Sequence, residues 1–246
     1  MTQSVRVFSD PDALSLAFAL MLVRDLDRIE PGQYYSIALS GGSTPLHLFK
    51  YLSDNFSEKI EWERLLIFWG DERCVSPDSD ESNYKMAYEN LLQNVPIPDN
   101  NIFRIKGEEE PKTEAKLYSD LVKANISFFN EIPQFDLILL GLGNDGHTAS
   151  VFPDSINLFD SYNLFDVAVK PETRQKRITA TGKLLNNALK VLFLVTGKEK
   201  AEIVSQVIEK KEGYEKLPAS RVKPVSGQLV WMLDENAAMK LKDLPK

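Results

Sequence analysis

The sequence predicts an α/β protein in which a mainly parallel, twisted sheet lies between helices on both faces, giving three layers. Three observations predict this class: strand-like and helix-like segments alternate along the chain, the strand-like segments are nearly continuous apolar runs, and several of them end at glycine. Strands that are apolar on both faces are typical of parallel sheets covered by helices on each side. In such sheets, ligands bind beyond the carboxyl ends of the strands.

The first predicted helix covers the apolar segment 13–23. Ser9 or Asp10 can cap its amino terminus, and Pro11 suits its first turn. The apolar side chains recur at helical spacing, at Leu14, Phe18, Leu22 and Leu26. The run is too short to span a bilayer and lacks the basic start and cleavage site of a signal peptide. We therefore expect a helix of a cytoplasmic protein.

The later elements follow the same alternation. Further strands are predicted, in chain order, at 34–40, 65–69, 101–105, 135–143, 164–169, 177–181, 188–197 and 228–233. Further helices are predicted from Pro45 onward with Thr44 as the cap, at 82–92 with Ser82 as the cap, at 111–129 and at 198–210. No stretch has the length of a linker, so residues 1–246 are predicted to form one domain.

The composition limits the partners and the compartment. The 246 residues are 43% hydrophobic and 26% charged, and the net charge of −7 disfavours nucleic acid, whose phosphates select basic surfaces. An anionic small molecule remains compatible with this charge if a few basic side chains converge. The one cysteine, Cys74, excludes an internal disulfide and fits a reducing compartment.

The loop SGGSTP, residues 40–45, is a candidate phosphate-binding turn. Gly41 and Gly42 allow close backbone approach or a positive φ. A helix that begins after them presents amide hydrogens and a positive dipole end, which suits the binding of a phosphate. No Gly-Lys-Ser/Thr follows, so this is not a Walker A loop, and an ordinary strand-to-helix turn is the alternative.

The segment WGDER, residues 69–73, places charged side chains at a predicted strand end. Arg73 is suited to a two-pronged hydrogen bond with an anion, and Asp71 is suited to act as a base or to orient one. Three acids further along do not have the spacing of an EF-hand, so we expect a solvated loop at Asp78, Asp80 and Glu81.

The loop GLGNDGHTAS, residues 141–150, contains the G-x-G-x-x-G pattern of dinucleotide-binding proteins. Pro153 disrupts the helix that such a fingerprint requires, which disfavours a nicotinamide cofactor. His147 is instead a candidate general base, with Asp145 two residues earlier to fix its tautomer. The other histidine, His47, is expected on a helix surface.

A local basic run occupies residues 171–183. Arg177, at the start of a predicted strand, and Lys183 are candidates for contacts with an anionic ligand. A solvated basic loop is the alternative, because most charge runs face water.

Together these segments resemble the 6-phosphogluconolactonase branch of the glucosamine-6-phosphate isomerase superfamily. The motifs occur in the family's order across nearly the whole chain: SGGSTP (40–45), WGDER (69–73), SNY (82–84), GLGNDGHTASVFP (141–153), RITAT (177–181) and LPAS followed by W..D (217–234). The resemblance implies a Rossmann-like fold shared with glucosamine-6-phosphate deaminases. It also implies hydrolysis of 6-phosphoglucono-δ-lactone to 6-phosphogluconate in the oxidative pentose phosphate pathway, without a metal or cofactor. We expect a monomer or a weak homodimer.

The resemblance also implies roles for individual residues. His147 matches the family's catalytic histidine, and Asp71 and Asp145 match acidic residues near it. The anion-binding positions of the family are matched by Gly42, Ser43, Arg73 and Arg177. Ser82 and Lys183 are weaker candidates. In the expected mechanism the histidine deprotonates water, and backbone amides of the 141–147 loop support the oxyanion.

A deaminase or isomerase acting on amino-sugar phosphates is the main alternative. Deaminases share the GxGxDGH pattern but continue into an Asn-Glu-Pro stretch that brings a catalytic acid, whereas residues 150–153 here are SVFP. A non-enzymatic sugar-phosphate sensor would carry a DNA-binding segment, and the sequence has no basic helix-turn-helix region. Both alternatives are therefore disfavoured.

Overall fold

The computed structural model describes residues 2–242 and is built around a six-stranded parallel sheet. The strands are β1 (Thr2–Phe8), β2 (Tyr35–Leu39), β3 (Leu65–Trp69), β4 (Asp71–Arg73), β5 (Phe128–Phe129), β6 (Ile132–Pro133), β7 (Leu137–Leu140), β8 (Phe165–Val169), β9 (Lys176–Ala180), β10 (Lys190–Val195) and β11 (Gln228–Asp234). The α-helices are α1 (Pro11–Leu26), α2 (Ser43–Phe56), α3 (Asn83–Asn90), α4 (Pro111–Asn125), α5 (Gly182–Leu185), α6 (Ala201–Ile208) and α7 (Glu235–Ala238). Short 3₁₀ helices occur at Trp62–Arg64, Leu92–Asn94, Asp99–Asn101, Pro153–Asp160, Lys198–Lys200, Tyr214–Lys216 and Pro218–Arg221.

The central sheet has the strand order β1-β11-β10-β7-β2-β3, and every neighbouring pair in it is parallel. All residues of β2 and β7 are buried, as expected for inner strands with both faces covered. Helices flank the sheet, so the predicted α/β class is confirmed. Among residues 2–242, no helix has the length and apolar character needed to cross a membrane.

A second, three-stranded antiparallel sheet has the order β4-β9-β8. Gly70 links it to the central sheet, because its N–H donates to Leu39 O at 2.8 Å and its carbonyl accepts from Ala180 N at 2.7 Å. The strand leaving the central sheet after Trp69 therefore continues directly into β4. This small sheet carries Asp71, Arg73 and Arg177 to the carboxyl edge of the large one.

The N-cap residues of two helices are those predicted from the sequence, and the N-cap of a third helix differs from the prediction. Asp10 caps α1 by accepting from Ala13 N at 2.8 Å, and Ser82 caps α3 by accepting from Lys85 N at 3.1 Å. The prediction that Thr44 caps α2 is wrong, because α2 already begins at Ser43 and its N-cap is Gly42.

Several other elements differ from the prediction. The strand predicted at 101–105 is reduced to one parallel bridge between Ile102 and Ile67, since Asp99–Asn101 forms a 3₁₀ turn instead. The helix predicted at 111–129 stops at Asn125, and its predicted last residues, Phe128 and Phe129, form the first strand of the β5–β6 hairpin instead. The strand β1 was not predicted, because its first three residues are polar and it lacks the continuous apolar run of the inner strands; it pairs with β11 at the edge of the sheet.

Candidate active site

The carboxyl ends of β2, β3, β7 and β10 surround one cavity of about 430 Å³. This is the edge of the sheet at which the sequence predicts the ligand. All seven residues singled out as catalytic or phosphate-binding line this cavity: Gly42, Ser43, Asp71, Arg73, Asp145, His147 and Arg177. The two weaker candidates do not line it.

The first wall is the amino terminus of α2. Gly42 has a φ of 110°, which an L-residue with a side chain rarely adopts, and this conformation turns the chain from β2 directly into the helix. Gly42 and Ser43 are exposed to the cavity. The first amide groups of an α-helix lack partners within the helix and carry partial positive charge, so this wall is suited to an anion.

The second wall is the loop after β7, which holds a histidine–carboxylate pair. The Nδ1 atom of His147 lies 2.5 Å from Asp145 Oδ1, and the same carboxylate oxygen accepts from the His147 backbone N–H at 3.1 Å. Burial raises the pKa of Asp145, but the hydrogen bond and the charge of His147 outweigh it, so the pKa lies below its ordinary value. An ionised Asp145 requires the hydrogen on Nδ1, which leaves Nε2 of the neutral imidazole as the basic atom.

Gly143 makes room for this pair. A Cβ atom at position 143 would lie 2.0 Å from His147 Nδ1 and 2.6 Å from Asp145 Oδ1, closer than real Cβ contacts. The second glycine of the G-x-G-x-x-G pattern therefore makes room for the imidazole. His147 also packs on Phe152, with ring centroids 4.9 Å apart.

Three backbone amides of the 141–147 loop form hydrogen bonds within the loop itself. The N–H of Gly143 donates to His147 O at 2.9 Å, and the N–H of Gly146 donates to Gly143 O at 3.0 Å. The His147 N–H is bonded to Asp145, as described above. The expectation that amides of the 141–147 loop support an oxyanion therefore does not extend to these three groups.

The third wall consists of two arginines on the small sheet. Arg73 and Arg177 are direct partners across the antiparallel β4–β9 pair. Arg177 is 8% exposed, and burial together with the nearby positive charge of Arg73 lowers its pKa, against the opposing influence of Asp71. Like charges placed opposite each other destabilise a sheet, so this arrangement is suited to an anion between the arginines.

Asp71 does not contact the histidine. Its Oδ2 atom accepts a hydrogen bond of 2.5 Å from Ser150 Oγ, and Ser150 is completely buried. The sequence left open whether Asp71 or Asp145 orients His147. In the structure, Asp145 is the carboxylate bonded to the imidazole.

The structure assigns the weaker candidates to other tasks. Ser82 donates to Glu72 Oε2 at 3.1 Å in addition to capping α3, and the buried Glu72 also accepts backbone N–H groups from Arg73, Asn83 and Tyr84. Lys183 donates to Tyr162 O at 3.0 Å and lines a different cavity.

Burial raises the pKa of Cys74 to about 11, so this thiol is protonated at neutral pH.

Several residues that line the cavity were not singled out in the sequence, among them Asn83, Asn144, Lys170, Glu172 and Lys200. Lys200 donates to Asn144 Oδ1 at 2.7 Å, and both residues line the cavity. Burial lowers the pKa of Lys200, while the nearby Glu199 and Asp145 oppose the shift. The available signal was position, because Lys200 follows β10 as closely as the other candidates follow their strands.

Within residues 2–242, no three His, Cys, Asp or Glu side chains come together in a group that could hold a metal ion. The cavity lining includes backbone amide groups, two arginines, two lysines (Lys170 and Lys200), the acids Asp71 and Glu172, and the histidine–carboxylate pair. This arrangement is suited to a phosphorylated molecule and to proton transfer beside it.

Comparison with known proteins agrees with this geometry. Residues 9–231 match the family model described as glucosamine-6-phosphate isomerases/6-phosphogluconolactonase. The chain is 43% identical over 206 residues to a 6-phosphogluconolactonase of Aggregatibacter actinomycetemcomitans, covering 83% of this chain and 87% of the relative. It is 41% identical over 196 residues to a 6-phosphogluconolactonase of Treponema pallidum, covering 80% and 81%. The structure of 6-phosphogluconolactonase from Trypanosoma brucei superimposes with a TM-score of 0.86 at 31% identity, covering 98% of this chain and 99% of that one. The chain therefore belongs to the glucosamine-6-phosphate isomerase/6-phosphogluconolactonase family.

Proposed function

We propose that this protein is a 6-phosphogluconolactonase, which hydrolyses 6-phospho-D-glucono-1,5-lactone to 6-phospho-D-gluconate in the oxidative pentose phosphate pathway. The two relatives described above, both named for this activity, are 41% and 43% identical over 80% and 83% of the chain. The single observation that supports the chemistry most directly is the His147–Asp145 pair, which lines the same cavity as the amino terminus of α2 and the two arginines.

The phosphate is the group through which the protein binds and orients the substrate. Amides at Gly42 and Ser43 and the guanidinium groups of Arg73 and Arg177 hold it, and Lys200 adds a positive charge in the same cavity. Binding at a group remote from the reacting carbon orients the lactone ring and converts binding energy into positioning.

His147 then acts as the general base. Its Nε2 takes a proton from a water molecule while the water oxygen bonds to C1 of the lactone, and the carbonyl π electrons move onto the carbonyl oxygen. Collapse of this intermediate breaks the bond between C1 and the ring oxygen, and the imidazolium returns its proton to that oxygen. The products are a free hydroxyl group and a carboxylic acid, which ionises in water.

Asp145 supports both steps. As an ionised acceptor at Nδ1 it keeps Nε2 free to accept a proton, and it stabilises the imidazolium that forms. The ring of Phe152, which is 1% exposed, limits movement of the imidazole from another direction.

Freshly generated δ-lactone tests this proposal directly. Release of acid is followed with a pH indicator against the spontaneous background, and the same protein is assayed for ammonia release from glucosamine 6-phosphate. We expect hydrolysis well above background with the lactone and no ammonia from the amino sugar. Ammonia release without lactone hydrolysis would favour the deaminase branch of the family.

A further inference from the structure

The guanidinium of Arg177 is held by uncharged oxygen atoms. Its Nε and Nη2 atoms donate to Gln175 Oε1 at 3.3 and 3.2 Å, and its Nη1 donates to Ser150 Oγ at 3.4 Å. None of the ion pairs formed among residues 2–242 includes Arg177. A buried arginine without a carboxylate partner is unusual, because buried charges in proteins are normally paired.

The Ser150 hydroxyl stands between this arginine and the nearest acid. Ser150 Oγ donates its hydrogen to Asp71 Oδ2 at 2.5 Å, which leaves an oxygen lone pair for Arg177 Nη1. The Ser150 backbone is fixed at the same time, because its N–H donates to Thr179 Oγ1 at 3.1 Å. The carboxylate of Asp71 is thereby bonded to a hydroxyl rather than directly to the guanidinium.

Gln175 performs the corresponding task on the other side of the guanidinium. It lies in the turn between β8 and β9, where its carbonyl accepts from Lys170 N at 2.9 Å. Its amide oxygen receives two N–H groups, which fixes the plane of the guanidinium. A glutamate at this position would have the same shape but would form a direct two-pronged ion pair and neutralise the arginine.

We propose that Gln175 and Ser150 are positioning residues that hold the Arg177 guanidinium between two neutral oxygens, so that its positive charge stays available to the phosphate of the substrate. The inference rests on the proposed role of Arg177 in binding that phosphate. Under this proposal, high affinity for the substrate requires uncharged side chains at positions 150 and 175. Neither residue takes part in the proton transfers.

The decisive variant is Gln175→Glu, compared with Thr173→Glu as the matched control. Gln175 is only half-buried, and Thr173 is exposed in the same turn, so both variants add one carboxylate to one surface hairpin. Binding of inorganic phosphate and of 6-phosphogluconate is measured by titration calorimetry, and KM and kcat are measured with the δ-lactone. We expect Gln175→Glu to raise both dissociation constants and KM about tenfold or more, because a bidentate carboxylate competes with phosphate for the same donors, with kcat changed less than about threefold.

Two further variants complete the test. Gln175→Met removes the acceptor without adding charge, so we expect a smaller increase in KM than in Gln175→Glu. Ser150→Ala allows Asp71 to approach Arg177 directly, and we expect it too to raise KM more than it lowers kcat. A structural defect would instead lower kcat as much as it raises KM, and the KM values would not rank Gln175→Glu above Gln175→Met. Thermal unfolding reports whether each variant is folded.

Arg177→Gln separates the failure of this inference from failure of the proposed function. If Arg177→Gln weakens phosphate binding while Gln175→Glu binds phosphate and product like Thr173→Glu, the positioning role is wrong and the phosphate site stands. If Arg177→Gln leaves phosphate binding and KM unchanged, the proposed phosphate contact of Arg177 is wrong and the inference falls with it.

Discussion

Arg73 and Arg177 lie directly opposite each other in the antiparallel pairing of β4 and β9. Neighbouring strands place such partners within a few ångströms, so the two positive charges repel each other when no anion is bound. The arrangement is understandable if the strands are built to receive an anion, because a phosphate converts this repulsion into two favourable contacts.

Arg73→Gln is expected to weaken the binding of phosphate. The remaining arginine then lacks its partner in the clamp, so KM for the lactone should rise about tenfold or more, while kcat changes less. The measurement is the increase in the midpoint of thermal unfolding on addition of inorganic phosphate, which follows affinity. An equal increase in the wild type and in Arg73→Gln would contradict the clamp.

His147→Ala is expected to lower kcat by roughly two to four orders of magnitude, the usual contribution of general acid–base catalysis. The proposed phosphate site does not include the imidazole, so phosphate should stabilise this variant as much as it stabilises the wild type. Initial rates with fresh δ-lactone measure the first quantity, and thermal unfolding with phosphate measures the second. Wild-type turnover in this variant would end the proposed role of His147.

Gly143→Ala is expected to displace the imidazole without removing it. The new methyl group would lie 2.0 Å from His147 Nδ1, so the ring must leave Asp145, and kcat should fall more than affinity for phosphate. Gly141→Ala is the control in the same loop, because a Cβ atom there meets nothing within 4 Å. If both variants lose the same fraction of kcat, the close approach at Gly143 does not position the histidine.

Asp145→Asn is expected to change the pH dependence of stability. The pKa of Asp145 is lowered in the folded protein, so ionised Asp145 stabilises the fold above the ordinary carboxyl pKa of 3.8, and this contribution is lost as the pH falls below that value. The difference in free energy of unfolding between wild type and variant should therefore be largest near neutral pH and shrink towards pH 3. Denaturant unfolding at several pH values measures it, and a difference that grows on acidification would have the wrong sign.

Ser82→Ala is expected to affect stability rather than catalysis. The hydroxyl caps α3 and donates to the buried Glu72, so its loss should cost about 1–2 kcal/mol in free energy of unfolding. Ser76→Ala, an exposed hydroxyl in the same loop, should change stability by less than about 0.5 kcal/mol. A large fall in kcat for a folded Ser82→Ala protein would return this residue to the list of catalytic candidates.

The inner strands were predictable because their pattern is local. The run at 65–69 coincides with β3, and the run at 228–233 lies within β11, because continuous apolar side chains leave such a segment no stable place except between two layers. The edge strand β1 carries a mixed pattern, and the apparent strand at 101–105 has three apolar residues, Ile102, Phe103 and Ile105, interrupted by Arg104. Whether each of these segments forms a strand depends on which neighbouring strand is free to pair with it.

The candidate site was predictable to the extent that it obeys one rule of topology. Parallel strands end at the same edge, so Ser43, Asp71 and His147 had to lie near one another once the strands were identified. Asp145 was a candidate partner of His147 because only two residues separate them, but the sequence left Asp71 as an alternative.

By itself, the sequence determined the α/β class, the edge of the sheet that carries the cavity, and the histidine loop, because these depend on patterns within about ten residues. Only the tertiary structure decided that Asp145 rather than Asp71 contacts the imidazole, that Arg73 faces Arg177, and that neutral oxygens surround the latter. Those relationships join residues that are up to about a hundred positions apart. They follow from the register of β4 on β9 and from the packing of the 141–150 loop against these two strands. No local preference of the chain specifies this register or this packing.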